Sequence, residues 1–448
     1  MERTITNEFI DVMWDFSHKE IPPEIIDECK VSLLDYIACA NLGAKLLYKE
    51  NREWLNAFGR NSGLSSVIGM KEKVNAGCAA MLNGVNAHYI ELDDGHRYAM
   101  LHPGVPVISA LLAAAQDKGL DGRSLVRGIA AGYEVTIRLA KAVQPEHKLR
   151  GYHATGTCGT IGAAIGVISA LGFPKELWNT VIGAAATSAA GLLQVIDDGS
   201  ELKPFNAGRA AASAVEAAYF GMSGLKGPTD VLGGKRGFFT VAGGKLDRDV
   251  LLERNDAYAI KGIYRKPYAA CRHSHAAIEA MLNICGVNDV KFGDIQRIEV
   301  LTYGLAVKGH EHTEIIGAGS AKMSIPYAVC AAAKYGKVNF QEYESGCLND
   351  RDILNLMKCV SVREDEELSG LVPKKRAAIV KVITAGGEYK SRVDYPLGEP
   401  ENPMSKPMME EKYRSMMDAA DKTKAETEDI LDDVYHLESR LPNLLESI

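Results

Sequence analysis

Residues 159–173 read GTIGAAIGVISALGF, an apolar stretch rich in glycine and alanine. It is shorter than the roughly 20 residues that a bilayer-spanning helix needs, which argues against a membrane segment. Small side chains let neighbouring helices approach closely, since the distance between helix axes depends on the side chains at the contact. The segment therefore predicts one member of a compact bundle of buried helices.

Five further segments between residue 1 and about residue 265 show helical spacing of apolar residues, and most of them are also rich in alanine and glycine. The first begins with two prolines, which suit a first helical turn, and stops at Gly43, which suits a helix end. The predicted helical segments are residues 22–43, 74–92, 104–119, 122–143 and 206–224.

The pattern changes near residue 264. Residues 294–304 and 376–396 show the alternation and β-branched residues of strands, and the Gly-Gly pair in the second predicts a hairpin. Residues 324–336 and 351–362 have a helical pattern, and a proline-rich connector at 398–417 leads to closing helices. We expect a mainly α protein with a helical domain (1–263), a smaller α+β domain (264–398) and C-terminal helices (399–448) that rejoin the helical domain.

Composition narrows the possible functions. The chain has 51 Lys and Arg residues against 58 Asp and Glu residues, a net charge of −7, so its bulk charge predicts neither a nucleic-acid nor a membrane partner. The nine cysteines show no CxxC pair, which favours free buried thiols in the cytoplasm. The acidic N-terminus does not resemble a signal peptide. An anionic ligand would need a local basic pocket.

Residues 83–104, NGVNAHYIELDDGHRYAMLHPG, bring three histidines and three acids into a short stretch at the end of one predicted helix. Three interpretations stay open at this point. The side chains could cap and solvate the helix end, they could relay protons, or they could bind a divalent metal in a helical hydrolase. The residues of the metal hypothesis are His88, Asp93, Asp94, His96 and His102.

Two later stretches combine polar residues with the start of an alanine-rich helix. In RGYHATGTCGTIGAA (150–164), Tyr152 and His153 precede a helix start that could bind an anion, although close helix packing would also explain the glycines. In DDGSELKPFNAGRAAA (197–212), Lys203 and Arg209 flank the helix start. Lys203 could meet carboxylates there or lie in solvent as an ordinary loop lysine.

The stretch YRKPYAACRHSHAAIEAM (264–281) lies at the predicted domain boundary and concentrates positive charge. Arg265, Lys266, Arg272, His273 and His275 fall within eleven residues, which supplies the local basic pocket that an anionic small molecule requires. Tyr303 ends the first predicted strand after this cluster and could close over it, or it could be a packing residue.

These motifs, in this order and together with SIPYAV (324–329) and GEPENPMS (398–405), resemble the MmgE/PrpD family over nearly the whole chain. That family includes 2-methylcitrate dehydratase, cis-aconitate decarboxylase and iminodisuccinate epimerase. The resemblance implies that the α+β domain is a lid and that the protein is a homodimer with no required metal or organic cofactor. It places the family's pocket residues at His102, His153, Lys203, His275 and Tyr303. Gly95 and Asn206 depart from the family pattern, in which threonine and histidine often stand.

The shared chemistry of such enzymes is proton transfer at a carbon next to a carboxylate. We expect a cofactor-independent lyase, a dehydratase or decarboxylase, acting on a small citrate- or aconitate-like polycarboxylate, with a dicarboxylate epimerase as the alternative. His102 and His153 would exchange the proton, Tyr303 would donate one, and Lys203, Arg272 and His275 would hold carboxylates. We also expect Glu91, Asp93 and Tyr152 to contact the substrate. A catalytically silent binding protein and the metal-dependent hydrolase are the rival hypotheses.

Overall fold

The computed structural model describes residues 3–58, 62–196 and 200–448. Contacts within the chain divide it into two compact units. The helical unit comprises residues 1–194, 202–263 and 406–448, and the mixed unit comprises residues 195–201 and 264–405. The domain boundaries expected from the sequence stay a prediction.

The helical unit contains α-helices from both ends of the chain and one two-stranded antiparallel ribbon. Its elements before residue 264 are α1 (Ile5–Ser17), α2 (Pro23–Leu46), α3 (Tyr48–Phe58), β1 (Ser65–Ser66), β2 (Lys73–Val74), α4 (Ala76–Tyr89), α5 (Gly104–Lys118), α6 (Gly122–Lys141), α7 (Glu146–Leu149), α8 (Ala154–Ala170), α9 (Lys175–Ser188), α10 (Lys203–Phe220) and α11 (Arg248–Leu252).

Helix α8, formed by the glycine-rich segment, is buried along its whole length. A β-carbon at Gly162 would lie 1.9 Å from Thr136 Oγ1 of α6, so only glycine fits at this crossing. The crossing of α4 and α10 shows the same close approach, because a β-carbon at Gly84 would lie 2.7 Å from the Cα of Gly208. The predicted buried helix and its close packing are both confirmed.

The mixed unit combines short helices with a four-stranded sheet of order β4-β3-β5-β6. Strand β3 pairs parallel with β4 and antiparallel with β5, and β5 and β6 form an antiparallel hairpin. Its elements are α12 (His275–Asn288), β3 (Ile295–Thr302), α13 (Gly304–Val307), α14 (Ala318–Met323), α15 (Ile325–Tyr335), α16 (Ser345–Leu348), α17 (Arg351–Met357), β4 (Val360–Glu364), α18 (Glu366–Gly370), β5 (Ala378–Thr384) and β6 (Gly387–Val393).

The hairpin expected at 376–396 is confirmed, with its turn immediately before Gly387. The helix expected over 351–362 is wrong in its second half. The helix ends at Met357, and residues 360–364 (VSVRE) form β4, since their two valines at alternate positions pack well in a strand beside β3.

The chain closes with α19 (Lys406–Ala419), α20 (Lys424–Tyr435) and α21 (Leu437–Ser447), which belong to the helical unit. The elements confirm a mainly α protein. Among the described helices, none combines the length and the apolar character that crossing a bilayer requires. No disulfide joins the cysteines of the described residues, and Cys29, Cys39, Cys78, Cys158 and Cys330 are buried as expected.

Candidate active site

Three segments of the helical unit bring His102, His153 and Lys203 together. The loop from the end of α4 to the start of α5 carries His88, Glu91, Asp93 and His102. His153 directly precedes α8 as its N-cap residue, and Lys203 is the first residue of α10. The close crossing of α4 with α10 therefore brings these helix ends to one place.

Asp93 is the centre of this group. Its Oδ2 lies 2.8 Å from Nδ1 of His88 and 3.1 Å from Nδ1 of His102, and the rings of the two histidines lie 4.7 Å apart. Burial opposes ionisation of Asp93, but the two histidines outweigh it and hold the pKa of this carboxyl well below its usual range. Asp93 is therefore an anion that orients both imidazole rings.

A second hydrogen-bond partner of His102 determines which ring nitrogen carries the hydrogen. Nδ1 of His102 lies 2.7 Å from the backbone carbonyl oxygen of Asp94, and a carbonyl oxygen can only accept. Nδ1 therefore carries the hydrogen, and Nε2 of the neutral ring has the lone pair of a base. The side chain of His102 is 12% exposed, and its backbone N–H donates to Thr155 Oγ1 of α8, which fixes the loop.

His153 is held in the opposite tautomer. The side-chain amide of Asn206 lies 3.2 Å from the carbonyl oxygen of Leu192, which can only accept, so the amide atom at this position is the nitrogen. The same nitrogen lies 3.2 Å from Nδ1 of His153. Nδ1 of His153 is therefore the acceptor, and Nε2 carries the hydrogen of the neutral ring. Burial first, and then the charge of Lys203, hold the pKa of His153 well below its usual range.

Lys203 forms an ion pair with Glu91, and both side chains are largely buried. Glu91 adopts a left-handed backbone conformation with φ of 59°, which is uncommon for a residue other than glycine. Strain of this kind is concentrated at functional sites, where the surrounding structure maintains it. Glu91 thus positions the ammonium group of Lys203 beside His153.

The sequence left His88 as a helix-end residue, a proton-relay residue or a metal ligand, and its ring contacts those of both His102 and His153. Its ring stacks at 6.2 Å and 22° on that of His153. Its Nε2 is buried and makes no hydrogen bond within the described part of the chain. The sequence signal for this role was the spacing of five residues between His88 and Asp93 across a helix end.

Tyr152, expected to contact the substrate, stacks on the ring of His147 with centroids 5.0 Å apart. His147 in turn bonds through Nε2 to Thr157 Oγ1 of α8 at 2.7 Å. The structure therefore places Tyr152 against the start of α8, and its contact with a substrate stays a prediction.

Of the five residues in the metal hypothesis, three have ligand atoms within 4.8 Å of one another, namely His88, Asp93 and His102. Nδ1 of His102 carries a hydrogen for Asp94, however, so it has no lone pair for a metal in this arrangement. Nδ1 of His96 accepts from the backbone of Ala99, and His96 lines a separate cavity of about 430 Å³. The donor set therefore fits a hydrogen-bond relay better than a metal centre.

The carboxyl group of Asp94 points away from the histidines. It accepts from the hydroxyl of Tyr133 at 2.6 Å and from the backbone N–H of Gly104 at 3.1 Å. Burial, together with the charges of Asp35 and Asp93, raises its pKa to about 7 despite these hydrogen bonds. Asp94 therefore differs sharply from its neighbour Asp93 in charge near neutral pH.

Within the mixed unit, Arg272 and His275 contact each other directly. Arg272 donates to Glu399 at 2.8 Å, to Leu397 O at 3.2 Å and to Nδ1 of His275 at 2.9 Å. Nε2 of His275 lies 3.1 Å from the carbonyl oxygen of Ala270. Both ring nitrogens of His275 are thus engaged inside the unit, so its geometry suits positioning of Arg272.

Tyr303 directly follows β3, and its hydroxyl lies 2.6 Å from Nδ1 of His273. Burial raises the pKa of Tyr303 well above its usual range, which keeps the hydroxyl protonated. Positive charge predominates among the buried charged residues of the unit: the cations are Lys266, Arg272, Lys322 and Arg376, and the acids are Glu342 and Glu399. This balance favours an anionic ligand.

Two family models match the chain, the MmgE/PrpD N-terminal domain over residues 7–250 and the MmgE/PrpD C-terminal domain over residues 268–437. A cis-aconitate decarboxylase of Aspergillus terreus is 25% identical over 441 residues, which cover 92% of this chain and 89% of that protein. A human cis-aconitate decarboxylase is 23% identical over 437 residues, covering 93% of this chain and 88% of that protein. A cis-aconitate decarboxylase-like protein of Aspergillus oryzae is 25% identical over 442 residues, covering 93% and 91%.

Proposed function

Since the chain belongs to the MmgE/PrpD family, we propose that it is a lyase that acts without a metal or an organic cofactor on a small aconitate-like polycarboxylate. Decarboxylation of cis-aconitate is the first reaction to test, because three relatives carry that reaction in their names. Dehydration of a citrate-like acid is the second, since it uses the same proton transfer at a carbon next to a carboxylate.

The observation that carries the proposal is the hydrogen-bond geometry of His102 and His153, from which opposite tautomers follow. His102 presents a lone pair on Nε2, and Asp93 behind it stabilises the imidazolium that forms when Nε2 takes a proton. In a dehydration, His102 removes the proton from carbon and hydroxide leaves with a proton from an acid. In a decarboxylation, Nε2 of His102 first takes a proton from solvent; carbon dioxide then leaves, the electron pair stays on carbon, and the imidazolium of His102 gives its proton to that carbon.

His153 and Lys203 stabilise negative charge in this scheme. The Nε2–H of His153 donates to the oxygen on which charge develops, and the ammonium of Lys203 holds a carboxylate of the substrate. A positioned base contributes about 10²–10⁴-fold, roughly 3–5 kcal/mol, whereas enzymes supply ~8–23 kcal/mol in all. These preorganised donors and cations must therefore provide the larger share.

We assign supporting roles to the predicted residues of the mixed unit. Tyr303, protonated and hydrogen-bonded to His273, is the acid for a leaving group or for the second face of the carbon. Arg272 attracts carboxylates, and His275 positions it through their hydrogen bond. The resemblance further supports a lid role for this unit and a homodimeric enzyme, and the buried thiols support a cytoplasmic location.

Three alternatives make different predictions. A dicarboxylate epimerase would use the same histidines without a leaving group, and it stays an alternative on the resemblance alone. A silent binding protein would bind citrate-like acids without proton exchange, although Asn206 here supports a specific tautomer of His153. A metal-dependent hydrolase would bind a stoichiometric transition metal, and Nδ1 of His102, which faces the carbonyl oxygen of Asp94, would not be one of its ligands in this arrangement.

The test is incubation of the protein in D₂O with cis-aconitate, citrate and iminodisuccinate, followed by NMR. We expect deuterium on a carbon next to a carboxylate, with loss of carbon dioxide or water from one substrate. His102→Gln should reduce the exchange by at least ~10²-fold. Glu134→Gln, which alters a buried carboxylate paired with Arg138 and outside the histidine group, should not. Deuterium exchange into a substrate without loss of carbon dioxide or water would identify an epimerase. The absence of exchange with every acid would refute the proposal.

A further inference from the structure

A second cluster of reactive side chains lies in the mixed unit, and it touches the proposed chemistry only through the hydrogen bond of His273 to Tyr303. Ligand atoms of Cys271, His273 and His310 all lie within 4.8 Å of one another. Sγ of Cys271 lies 3.3 Å from Nε2 of His310, and the rings of His273 and His310 lie 5.0 Å apart at 60°. A thiol and two imidazoles are ligands that zinc and related transition metals prefer.

The spacing of this cluster matches a metal centre. Zinc–sulfur bonds of ~2.3 Å and zinc–nitrogen bonds of ~2.05 Å at a tetrahedral angle place sulfur and nitrogen about 3.6 Å apart. The Cys271–His310 pair, at 3.3 Å, is already within a few tenths of an ångström of this distance. Little movement is therefore needed for both residues to bind one ion.

The hydrogen bonds behind the two histidines resemble those that orient metal ligands. Nδ1 of His310 donates to the carbonyl oxygen of Lys308 at 3.1 Å, which leaves the lone pair of Nε2 directed at the sulfur of Cys271. Nδ1 of His273 is held by the hydroxyl of Tyr303 at 2.6 Å. Supporting bonds of this kind fix the ring orientation of metal-binding histidines.

We propose that Cys271, His273 and His310 form a binding site for a thiophilic divalent metal ion, with Zn²⁺ as the probe. Binding replaces the thiol proton: the metal forms a bond to the thiolate sulfur, and one proton is released to solvent. Arg376 is buried and interacts electrostatically with Cys271. Cys271 is partly exposed, so an ion can reach the site.

Metal binding at this site would also affect Tyr303. If the Nε2 atom of His273 binds the ion, its Nδ1–H must donate to Tyr303, and if Nδ1 binds, the bond to Tyr303 breaks. In both cases the hydroxyl loses the acceptor that orients it. Inhibition of turnover by zinc follows from this, a consequence that rests on the proposed function, whereas zinc binding itself does not.

The test uses the full chain after removal of metals with a chelator. Competition with a chromophoric chelator should give one Zn²⁺ per chain, with release of one proton. The Co²⁺ form should show a thiolate-to-cobalt charge-transfer band and the intense bands of a tetrahedral centre. Zn²⁺ should protect Cys271 from alkylation, read by mass spectrometry in the unmodified protein, so this result does not depend on any variant folding.

Cys271→Ser and His310→Ala should weaken binding by more than the roughly 10–100-fold that loss of a supporting group costs. Cys285→Ser is the matched control, because Cys285 is a partly exposed thiol of the same unit that bonds only to a methionine sulfur in the described contacts. Equal binding by the Cys271 and Cys285 variants, a cobalt spectrum without the thiolate band, or unchanged alkylation of Cys271 would each overturn the proposal. None of these measurements uses turnover, so failure of the proposed function would be a separate result.

Discussion

Replacement of Asp93 by asparagine tests the hydrogen-bond relay while changing little else. The side chain is 4% exposed and accepts from His88 at 2.8 Å and from His102 at 3.1 Å. Asparagine keeps the shape and one acceptor oxygen but removes the negative charge. The charge matters most when His102 becomes an imidazolium during the reaction.

The expected loss of activity depends on the two hydrogen-bond acceptors of His102, Asp93 and the carbonyl oxygen of Asp94. A hydrogen bond to a charged group is worth about 1.5–3 kcal/mol, which corresponds to roughly 10- to 10²-fold in rate. In proteases, the equivalent change costs about 10⁴-fold because the histidine adopts the wrong tautomer. Here the carbonyl of Asp94 also holds Nδ1–H, so the tautomer should persist and the loss should stay near the lower range.

The assay is kcat and KM for the substrate found in the D₂O experiment, together with thermal unfolding. We expect kcat to fall about 10- to 10²-fold with little change in KM. Glu134→Gln controls for loss of a buried, paired carboxylate elsewhere and should leave kcat unchanged. A kcat for Asp93→Asn within about threefold of the original, in a folded variant, would refute the relay.

The same substitution should also change the pH dependence of stability. The pKa of Asp93 is depressed in the folded chain, so its contribution to the free energy of unfolding is present above its unfolded pKa of ~3.9 and is lost as the pH falls through the folded value. Asp93→Asn should therefore be least stable relative to the original protein near neutral pH, and the difference should shrink in acid.

Three further predictions concern neighbouring groups. Asp94→Asn should unfold at a similar temperature to the original protein at pH 4 but at a higher temperature at pH 8. The folded pKa of about 7 means that ionisation of this buried carboxyl destabilises the original protein as the pH rises. The difference of ~3 pH units from the unfolded pKa corresponds to a loss of up to about 4 kcal/mol in the free energy of unfolding. The depressed pKa of His153 means that below pH ~6.5 the unfolded chain binds a proton that the folded chain does not, so the original protein loses stability as the pH falls. His153→Gln should remove this loss. Urea titrations at pH 7.5 and 5.0 should therefore show a larger drop in the free energy of unfolding for the original protein than for the variant. Lys203→Met should lower kcat/KM by at least ~10²-fold and leave the melting temperature within a few degrees of the original. Loss of activity that is fully explained by loss of folded protein would contradict a role of Lys203 in the site.

Patterns that depend on neighbours in sequence were predictable. The glycine-rich helix α8 followed from its composition, because only close packing makes so many small apolar residues useful in one helix. The hairpin of β5 and β6 followed from alternation around a Gly-Gly pair. Strand β4 was missed because its five residues follow a helix directly and owe their conformation to parallel pairing with β3, a partner sixty residues earlier in the chain.

The site was predictable in its residue types and much less so in their roles. The sequence indicated His102, His153 and Lys203 but could not reveal which nitrogen of each ring carries the hydrogen. That distinction depends on the carbonyl oxygen of Asp94 and on the side chain of Asn206, which the sequence marked only as a departure from the family pattern. His88 was likewise undervalued, since its contact with Asp93 depends on the fold of the loop after α4.

The most direct test of the account is the tautomeric state of the two site histidines. In protein labelled with ¹⁵N-histidine, long-range ¹H–¹⁵N spectra at pH 7, assigned with His102→Gln and His153→Gln, should show a hydrogen on Nδ1 of His102 and on Nε2 of His153. Opposite tautomers would establish one base and one donor in the same group. The same tautomer in both rings, or an imidazolium at His153, would contradict the account.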